Sequence, residues 1–466
     1  MARSRTVIEP ALRRQVSGDI FRMVLPVITE NILQMSAGLV TSAMIGRLMA
    51  DDISAQGISL RIYNTFWSLF KGIGIGATVV TSLRYGQHRL TECRRTIEQT
   101  YLTLVPFALL CMAVIFILPG PIVNFLSDDP RLSGSAVSYL RIAIWALPFA
   151  AVTVCNTAAF NGHGNTKTPM YIALMLNAVN IAVGFVLIFG VGPFKGYGLI
   201  GAAVATLVSQ AAGALSGLFL LYHRGGYFAD EPHGKPFFKP EPACIREVYR
   251  TGIPAACENV FWQLSAMLLS KIILLYGSTH FAAYQLGLQA EMICEMPGIG
   301  FTTAATTLSA RAIGQRDDRL FRAYFSQMHR SSLCTGIFTA AVLFLFPSLF
   351  MQLLTDKPDI QQLGTVYVFI MGLTPIPQDV NKVYNGFMRS AGYRRAPMTV
   401  SFVGIWLVRV PLAFLFGWVL HLEIHFIWFA IALDQIVRLA LSFTLFRRKR
   451  VIDTVFSLPS EPDSAA

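Results

Sequence analysis

Charge is scarce in this sequence. Only 14% of its 466 residues are charged, whereas an average soluble domain carries about 25%. Acidic residues are the scarcer sign, with 26 Asp and Glu against 38 Lys and Arg. The low charge, together with 54% hydrophobic residues and a mean hydropathy of +0.53, excludes an ordinary cytosolic protein. The basic residues form no single stripe, so their excess does not indicate nucleic-acid binding.

Other absences exclude further classes of function. The seven cysteines show no CxxC pair and no Cys/His spacing, so we expect neither a metal site nor a disulfide framework. The sequence has no Gly-x-x-x-x-Gly-Lys-Ser/Thr loop, which argues against ATP as an energy source. The histidines form no nucleophile arrangement. We therefore expect neither an enzyme nor a bound cofactor.

Long apolar runs dominate what is present. Twelve segments are each long enough for a helix that crosses a bilayer. They lie at about 21–44, 58–83, 97–119, 136–158, 169–191, 197–222, 248–276, 281–310, 326–351, 362–387, 397–420 and 424–446. Basic residues concentrate in the loops on the side of the N-terminus, and the opposite loops hold only Arg47, Arg131, Lys195 and Lys357. This asymmetry predicts a multi-pass protein of the cytoplasmic (inner) membrane with both termini in the cytoplasm.

The sequence also repeats itself at an offset of 228 residues. Pro26 and Glu30 recur as Pro254 and Glu258, and the register holds without a gap as far as Met170. Because each copy contains six spans, both copies enter the membrane in the same direction. We expect a cytoplasmic N-terminal segment 1–20, an N-lobe 21–222, a cytoplasmic linker 223–247, a C-lobe 248–446 and a cytoplasmic tail 447–466.

Two six-helix lobes with a cavity between them are a common architecture of secondary transporters that work by alternating access. The alternative is a duplicated receptor or scaffold without a transport role. Carboxylates near the middle of the predicted spans favour transport, because a scaffold has no need of them.

Several long motifs resemble the multidrug and toxic compound extrusion (MATE) family of cation-coupled antiporters. They are LPVITENILQMSAGLVTSAMIGRL, GIPAACENVFWQ, AAYQLGLQAE, MPGIGFTTAATTLSARAIGQ, FNGHGNTKTPM, MRSAGYRRAPM and GLIGAAVATLVSQ. The resemblance implies an all-α membrane protein with twelve transmembrane helices in two parallel-repeat lobes. It also implies export of amphipathic, often cationic compounds at the expense of a proton or sodium gradient.

The sequence departs from this family in the N-lobe. Many prokaryotic relatives carry a coupling carboxylate in the first span, where this chain has Thr41. In span five Asn180 matches the family, but Gly184 stands where the relatives have an acid; Thr206 in span six matches. The coupling network of those relatives therefore cannot be carried over whole.

Ionisable residues inside the spans need a partner, water or a function. Glu30 and Lys71 lie at similar depth, so we expect an ion pair in the N-lobe. The pair is either structural, or Lys71 occupies the place of a coupling cation. In the C-lobe, the repeat counterpart of Lys71 is uncharged Ile299, which leaves Glu258 without that partner.

Span eight supplies Glu291 and Glu295, which lie four residues apart and share one helical face. Glu295 matches Glu258 in depth, and neighbouring carboxylates in a poorly hydrated cavity could hold a proton. We expect proton or sodium coupling at Glu258, Glu295 and Glu291, with Asp379 as a secondary candidate. The alternative is a salt-bridged framework that uses Arg409 or Lys382.

Two further expectations concern other polar residues in the chain. Asp434 and Arg438 are four apart and should pair with each other. His163 falls in a short cytoplasmic loop, and we expect it to be solvated.

Aromatic and amide side chains predict the lining of a substrate cavity. The candidates are Gln34, Met35, Asn64 and Trp67 in the N-lobe and Phe261, Trp262, Tyr284 and Gln289 in the C-lobe. Core packing is the alternative for each of them.

The preferred function is export of amphipathic, cationic small molecules in exchange for protons or sodium ions, by a monomer in the lipid bilayer. A flippase for lipids or lipid-linked precursors is the second possibility.

Overall fold

The computed structural model describes residues 10–45, 50–126, 130–190, 196–223, 225–228 and 239–456, and these are almost entirely helical. Contacts divide the chain into two compact units. The N-unit is Thr29–Ala256, and the C-unit combines Met1–Ile28 with Cys257–Ala466.

The N-unit contains seven complete helices and parts of two more. It takes α1 from Thr29 onwards and α9 as far as Ala256. The helices are α1 (Pro10–Ile45), α2 (Ala50–Gly86), α3 (Leu90–Ile117), α4 (Pro119–Leu126), α5 (Pro130–Ala143), α6 (Ala146–Gly162), α7 (Lys167–Phe189), α8 (Gly198–Tyr222) and α9 (Pro242–Leu274). One continuous core, with Phe70, Tyr139 and Phe160 among its largest fully buried side chains, holds these helices together.

The C-unit contains the start of α1, α9 from Cys257 onwards and the remaining helices. They are α10 (Ser278–Gly314), α11 (Asp318–Leu345), α12 (Pro347–Leu354), α13 (Pro358–Met371), α14 (Pro375–Ser390), α15 (Ala396–Phe402), α16 (Val410–Phe414), α17 (Ile424–Arg448) and α18 (Val451–Thr454). Two π-helical segments, Val403–Arg409 and Leu415–Val419, flank α16. Together with α15 and α16 they form the eleventh predicted span.

All twelve predicted segments are helical. The fourth is broken into α5 and α6, which are bent by 49°, and the tenth into α13 and α14. Among the described helices, eight are long and apolar enough to cross a membrane unaided, or nine if α5 and α6 count as one span. The other predicted spans, α9, α10 and α13 with α14, carry the charges of Glu258, Glu291, Glu295, Asp379 and Lys382. The spans that fail this test thus include those with the most ionisable groups.

Large apolar side chains cover much of the outer surface. Leu110, Phe219, Phe338 and Leu345 each expose 60% or more of their surface. Soluble monomers rarely expose contiguous apolar surface of this kind. This surface is typical of a multi-pass protein whose helices face lipid.

The chain changes units inside two helices, at equivalent places of the repeat. The N-unit begins three residues after Pro26 in α1, and the C-unit resumes three residues after Pro254 in α9. A proline inside a helix removes one backbone hydrogen bond and favours a bend. The lobes predicted at 21–222 and 248–446 describe the repeat in the sequence, whereas the contacts assign the first part of α1 and of α9 to the other repeat's unit.

Glycines allow these transferred helix segments to pack closely. In the N-unit a Cβ on Gly72 of α2 would lie 2.3 Å from the Cα of Ala256 in α9. In the C-unit the equivalent Gly300 of α10 faces Val24 of α1, whose Cγ1 would lie 2.9 Å from a Cβ. Each unit therefore includes part of a helix that belongs, by sequence, to the other repeat, and this part packs closely against the unit's own helices.

Candidate functional site

The N-unit contains a cavity of about 240 Å³ that lies among α1, α2, α5, α6, α7 and α8. Seven residues singled out in the sequence line this cavity: Glu30, Gln34, Thr41, Asn64, Trp67, Asn180 and Thr206. Met35, predicted to line it as well, is not among its lining residues. Three of the four side chains predicted to line a cavity in this repeat therefore do so, among 22 described lining residues in all.

Three polar residues at positions of the family pattern lie together in this cavity: Asn180 and Thr206, which match the pattern, and Thr41, which replaces a carboxylate. Thr41 Oγ1 donates a hydrogen bond to Asn180 Oδ1 at 2.9 Å, and Asn180 Nδ2 donates to Ser209 Oγ at 3.2 Å. Ser209 Oγ in turn donates to the Thr206 carbonyl at 3.0 Å. A neutral hydrogen-bonded chain therefore occupies the place where the resemblance implies carboxylates.

The predicted ion pair between Glu30 and Lys71 is wrong. Glu30 Oε1 accepts a hydrogen bond from Gln34 Nε2 at 3.2 Å, while Lys71 Nζ lies 3.7 Å from the centroid of the Trp67 ring. An ammonium over an indole face is attracted by the ring quadrupole, which accounts for this position. The two charges remain within electrostatic reach of each other, although these described side chains make no salt bridge of 4 Å or less.

In the C-unit, Glu258 forms an ion pair with an arginine that the sequence interpretation missed. Arg389 Nη2 lies 2.9 Å from Glu258 Oε1 and 3.1 Å from its Oε2. The Arg389 side chain is only 4% exposed, so the pair is largely removed from solvent. The one available signal was that Arg389 stands near the end of span ten, where the first repeat has neutral Asn161.

Glu295 has a different cationic partner. Lys382 Nζ of α14 lies 2.7 Å from Glu295 Oε1 of α10. Glu258 and Glu295 thus each have a cationic partner of their own on α14. Each pair offsets part of the cost of placing a carboxylate in a poorly hydrated region. The alternative framework through Lys382 is thus present for Glu295.

Glu291 is held by neutral donors. The Tyr367 hydroxyl donates to Glu291 Oε2 at 2.9 Å, and Gln378 Nε2 donates to Oε1 at 3.1 Å. The shared helical face predicted for Glu291 and Glu295 does turn towards α13 and α14, because their partners lie on these two helices.

Asp379 is the least satisfied carboxylate of the described C-unit. It is 1% exposed, and its Oδ2 has no hydrogen-bond partner among the described residues. A Cβ added to Gly298 of α10 would lie 2.3 Å from Asp379 Oδ1 and 2.9 Å from Lys382 Nζ. Asp379 therefore packs against the α10 backbone beside the Lys382–Glu295 ion pair.

The predicted pair of Asp434 and Arg438 is confirmed. Arg438 Nε lies 2.8 Å from Asp434 Oδ1. Arg409, which the alternative of a salt-bridged framework named as a partner of the glutamates, places Nη2 2.7 Å from Oδ2 of the same aspartate. Asp434 is fully buried and has two guanidinium partners, Arg409 and Arg438. Arg409 therefore forms its ion pair with Asp434 and not with a glutamate.

The predicted C-lobe lining divides into packed and exposed side chains. Tyr284 makes an edge contact with Tyr367 at 5.6 Å between ring centroids, and Phe261 contacts Phe402 at 5.5 Å. Trp262 is 42% exposed and Gln289 is half-buried. Tyr284 and Phe261 thus follow the core-packing alternative.

The expected solvation of His163 is wrong. Its side chain is 7% exposed and lies 5.0 Å from the rings of both Tyr85 and Tyr227 and 5.5 Å from Phe228. Burial lowers the pKa of the His163 imidazole below its ordinary value, and the 2.7 Å contact of Nδ1 with the Ala159 carbonyl acts in the opposite direction. The linker residues 227 and 228 bury this histidine, a tertiary contact that local sequence does not reveal.

None of the described residues forms a group of three or more His, Cys, Asp or Glu suited to hold a metal ion. Among the described C-unit carboxylates, Glu258, Glu295 and Asp434 pair with Lys or Arg. Glu291 accepts hydrogen bonds from neutral donors instead.

Comparison with known proteins identifies the family. The MatE family model matches residues 26–186 and 254–415, more than half of the chain. The chain belongs to the MatE family. The two matches begin 228 residues apart, the spacing of the repeat in the sequence.

Individual MatE relatives align over nearly the whole chain. The probable multidrug resistance protein NorM of Thermotoga maritima is 25% identical over 433 residues, which cover 93% of this chain and 92% of that protein. The probable multidrug resistance protein YoeA of Bacillus subtilis is 26% identical over 412 residues, or 86% and 87% of the two chains.

Solved MATE structures share the fold. The Vibrio cholerae MATE transporter VcmN superposes with a TM-score of 0.88 at 17% identity, over 96% of this chain and 100% of that one. A MOP superfamily transporter of Pyrococcus furiosus gives a TM-score of 0.84 at 17% identity, over 96% and 98%. The predicted all-α MATE fold is thereby confirmed.

Proposed function

We propose that this MatE protein is a cation-coupled secondary antiporter, and not an enzyme, that exports amphipathic small molecules by alternating access. The observation that carries the proposal is Asp379, whose buried Oδ2 has no hydrogen-bond partner among the described residues and which lies beside the Lys382–Glu295 ion pair. A buried carboxylate of this kind is costly unless it binds a proton or a cation.

The geometry suggests how ion binding changes the site. One ammonium, that of Lys382, lies beside both Asp379 and Glu295. When Asp379 carries a proton or sodium ion, Lys382 can remain with Glu295. When Asp379 loses that ion, the two carboxylates compete for Lys382. Ion release therefore rearranges contacts between α10 and α14. An antiporter must couple such a local change to the change in which side of the membrane its binding site faces.

Other features support the cargo and the location. The relatives from Thermotoga maritima and Bacillus subtilis carry the name of probable multidrug resistance proteins. The buried acids of the C-unit favour positively charged cargo on that side of the molecule. The distribution of basic residues supports a cytoplasmic-membrane protein with both termini inside, and we propose a monomer.

Efflux from proteoliposomes tests the proposal. Vesicles that contain the purified protein are loaded with the fluorescent cation ethidium, and pH and sodium gradients are imposed separately. We expect one gradient to drive efflux, and Asp379→Asn and Glu295→Gln each to abolish that dependence. Asp318→Asn is the matched control, because Asp318 forms an exposed ion pair with Arg322.

The outcomes separate the alternatives. If both variants respond to the gradients like the parent, the coupling site is not at Asp379 and Glu295. If no gradient drives ethidium efflux but a fluorescent lipid crosses the bilayer in the same vesicles, the protein is a flippase. Absence of both fluxes in the parent would indicate a receptor or scaffold.

A further inference from the structure

The wall of the N-unit cavity is built from neutral polar groups. It includes the side-chain amides of Gln34, Gln56, Asn64, Asn177, Asn180 and Gln210. No lysine, arginine or histidine is among its lining residues. In ligand pockets the polar groups fix the orientation of the ligand, and here most of these groups are neutral amides and hydroxyls beside apolar side chains.

Two polar atoms of this wall are buried without a partner. The Tyr63 hydroxyl and Asn177 Nδ2 belong to side chains that are 7% and 8% exposed, and neither atom has a hydrogen-bond partner in the described part of the chain. Buried polar groups in proteins are almost always hydrogen-bonded. Both atoms are enclosed by protein, so an occupant with hydrogen-bonding atoms would satisfy them once the two side chains turn towards the cavity.

The charge of the cavity is already offset from within the protein. Glu30 is the one acid among the lining residues, and it accepts a hydrogen bond from Gln34. Lys71 lies within electrostatic reach of Glu30 but does not line the cavity. A cationic occupant would therefore compete with Lys71 for Glu30, whereas an uncharged occupant would not.

Size and shape limit the occupant further. The cavity of about 240 Å³ is smaller than the roughly 300–1,000 Å³ of typical ligand pockets. Trp67 adds a broad aromatic surface to the wall, and its ring is in contact with the Lys71 ammonium. This combination suits one compact ring with polar groups on its edge.

We propose that the N-unit cavity binds an uncharged, polyhydroxylated ring, such as the glycosyl group of a glycoside. Ring hydroxyls both donate and accept, which matches amides that offer both functions. The ring faces carry C–H groups that can pack on Trp67. This inference rests on the proposed transport function and names the class of cargo that this cavity recognises. In this proposal the N-unit recognises its cargo by hydrogen bonds, whereas most of the buried acids lie in the C-unit.

Calorimetric titration of the purified full-length protein tests this inference. The protein is placed in lipid nanodiscs free of glycoside detergents, and no ion gradient is present. The probes are p-nitrophenyl β-D-glucopyranoside, p-nitroanisole, which lacks the sugar, and the cation tetraphenylphosphonium. We expect the glucoside to bind, and p-nitroanisole to bind at least tenfold more weakly.

Two variants locate the binding. Tyr63→Phe removes only the hydroxyl, and Asn177→Leu replaces the amide by an apolar group of similar size. Each should weaken glucoside binding about tenfold, because a site built to hydrogen-bond a ligand loses affinity when a partner is removed. Tyr222→Phe is the matched control. Tyr222 also has a buried hydroxyl without a partner among the residues that the structure describes, but it does not line the cavity.

The inference is overturned if the glucoside does not bind, or if Tyr63→Phe and Asn177→Leu bind it as tightly as Tyr222→Phe does. Tighter binding of tetraphenylphosphonium that is abolished by Glu30→Gln would also overturn it, in favour of a cation site. Because binding is measured without a gradient, failure of the coupling proposal at Asp379 leaves this result unchanged.

Discussion

The two repeats place neutral side chains and charges at equivalent positions. Glu291 and Glu295 of the C-unit correspond to Tyr63 and Trp67 in the N-unit, and both of the latter line its cavity. The same two helical positions therefore provide carboxylates in one unit and a hydrogen-bonding and stacking surface in the other.

The partners of these residues differ in the same way. Lys382 and Arg389, which pair with the C-unit glutamates, correspond to Val154 and Asn161 in the N-unit. Acids and their countercharges thus occur together in one repeat and are missing together from the other. A buried charge without a partner is costly. The two copies of the repeat can therefore differ in buried charge only if an acid and its cationic partner are gained or lost together.

One acid within the predicted spans is present in both repeats, as Glu30 and Glu258, but its partners differ. Glu258 is bound directly by Arg389, whereas its counterpart Glu30 accepts a hydrogen bond from Gln34 and has its cation, Lys71, at a distance. The two units accommodate the same carboxylate by contact in one case and by longer-range attraction in the other.

Replacing Arg389 by asparagine, the residue of the first repeat, should have the largest effect on stability. Arg389→Asn leaves the Glu258 charge largely buried without its contact partner, and loss of one member of a buried pair costs about 3–5 kcal/mol. Thermal unfolding of the purified protein measures this loss. The matched control, Arg322→Asn, breaks two exposed ion pairs, with Asp318 and with Asp453, and each should cost at most about 1 kcal/mol.

A second substitution identifies the cause of that loss. Glu258→Gln in the Arg389→Asn background removes the uncompensated charge and should restore much of the stability. If the double variant is no more stable than Arg389→Asn, the contribution of Arg389 is packing rather than charge.

Alanine substitutions at the equivalent glycines Gly72 and Gly300 should lower the stability by smaller amounts, which differ between the two units. Gly72→Ala would place a methyl group against the backbone of Ala256, which cannot move aside alone, so we expect a loss of about 1–3 kcal/mol. Gly300→Ala meets the Cγ1 of Val24 at 2.9 Å, the end of a side chain, and the carbonyl of the same residue at 3.0 Å, so we expect a smaller loss.

Gly57→Ala is the control for both substitutions. A Cβ on Gly57 has no neighbour within 4 Å, and alanine favours the helix by roughly 0.5–1 kcal/mol. Unfolding temperatures of the three variants give the comparison. Equal losses for Gly72→Ala and Gly57→Ala would contradict close packing of α9 on α2.

Much of the fold could be predicted from the sequence because its signals are local or periodic. Apolar runs located the twelve helical segments, and the offset of 228 residues located the repeat. Spacing along one helix placed Glu291 and Glu295 on a common face and paired Asp434 with Arg438. The family pattern brought Thr41 and Asn180 together, and they form a direct hydrogen bond.

The failures share a physical reason. Depth along a helix predicts the level of a side chain but not the direction in which it points, so Glu258 was matched with Glu295 instead of Arg389. Lys71 was matched with Glu30, although an aromatic ring on its own helix provides a closer partner. The division inside α1 and α9 depends on tertiary packing, which composition and repeats do not report.

A carboxylate at Thr41 should reverse the selectivity proposed for the N-unit. Thr41→Asp places an acid beside Asn180, in a cavity without a basic lining residue. We expect tetraphenylphosphonium affinity to rise about tenfold, equivalent to about 1.4 kcal/mol. Calorimetric titration in nanodiscs measures the change, and Thr41→Asn is the neutral control of similar size. Unchanged cation affinity in Thr41→Asp would show that lining charge does not set selectivity.

The smallest expected difference between the repeats is the pH dependence of one loop contact, that of His163 with residues 227 and 228. His163 is buried by linker residues 227 and 228, whereas its counterpart in the second repeat is Ala391. Because burial lowers the pKa of His163 below its ordinary value of about 6.5, the folded protein favours the neutral imidazole. The contact is therefore fully stable above that ordinary value, and it weakens as the pH falls towards the lower value of the folded state.

Hydrogen exchange can compare the two loops in one sample. Between pH 7.5 and 5.5, after correction for intrinsic exchange rates, amides of the segment 225–228 should become a few-fold less protected. Amides of the loop 391–395, in which this histidine is missing, should not change. His163→Phe retains a ring among Tyr85, Tyr227 and Phe228 but cannot be charged, so it should remove the pH effect while preserving protection at pH 7.5. If the variant keeps the same pH dependence, protonation of His163 is not what releases the linker, and the two loops differ only in packing.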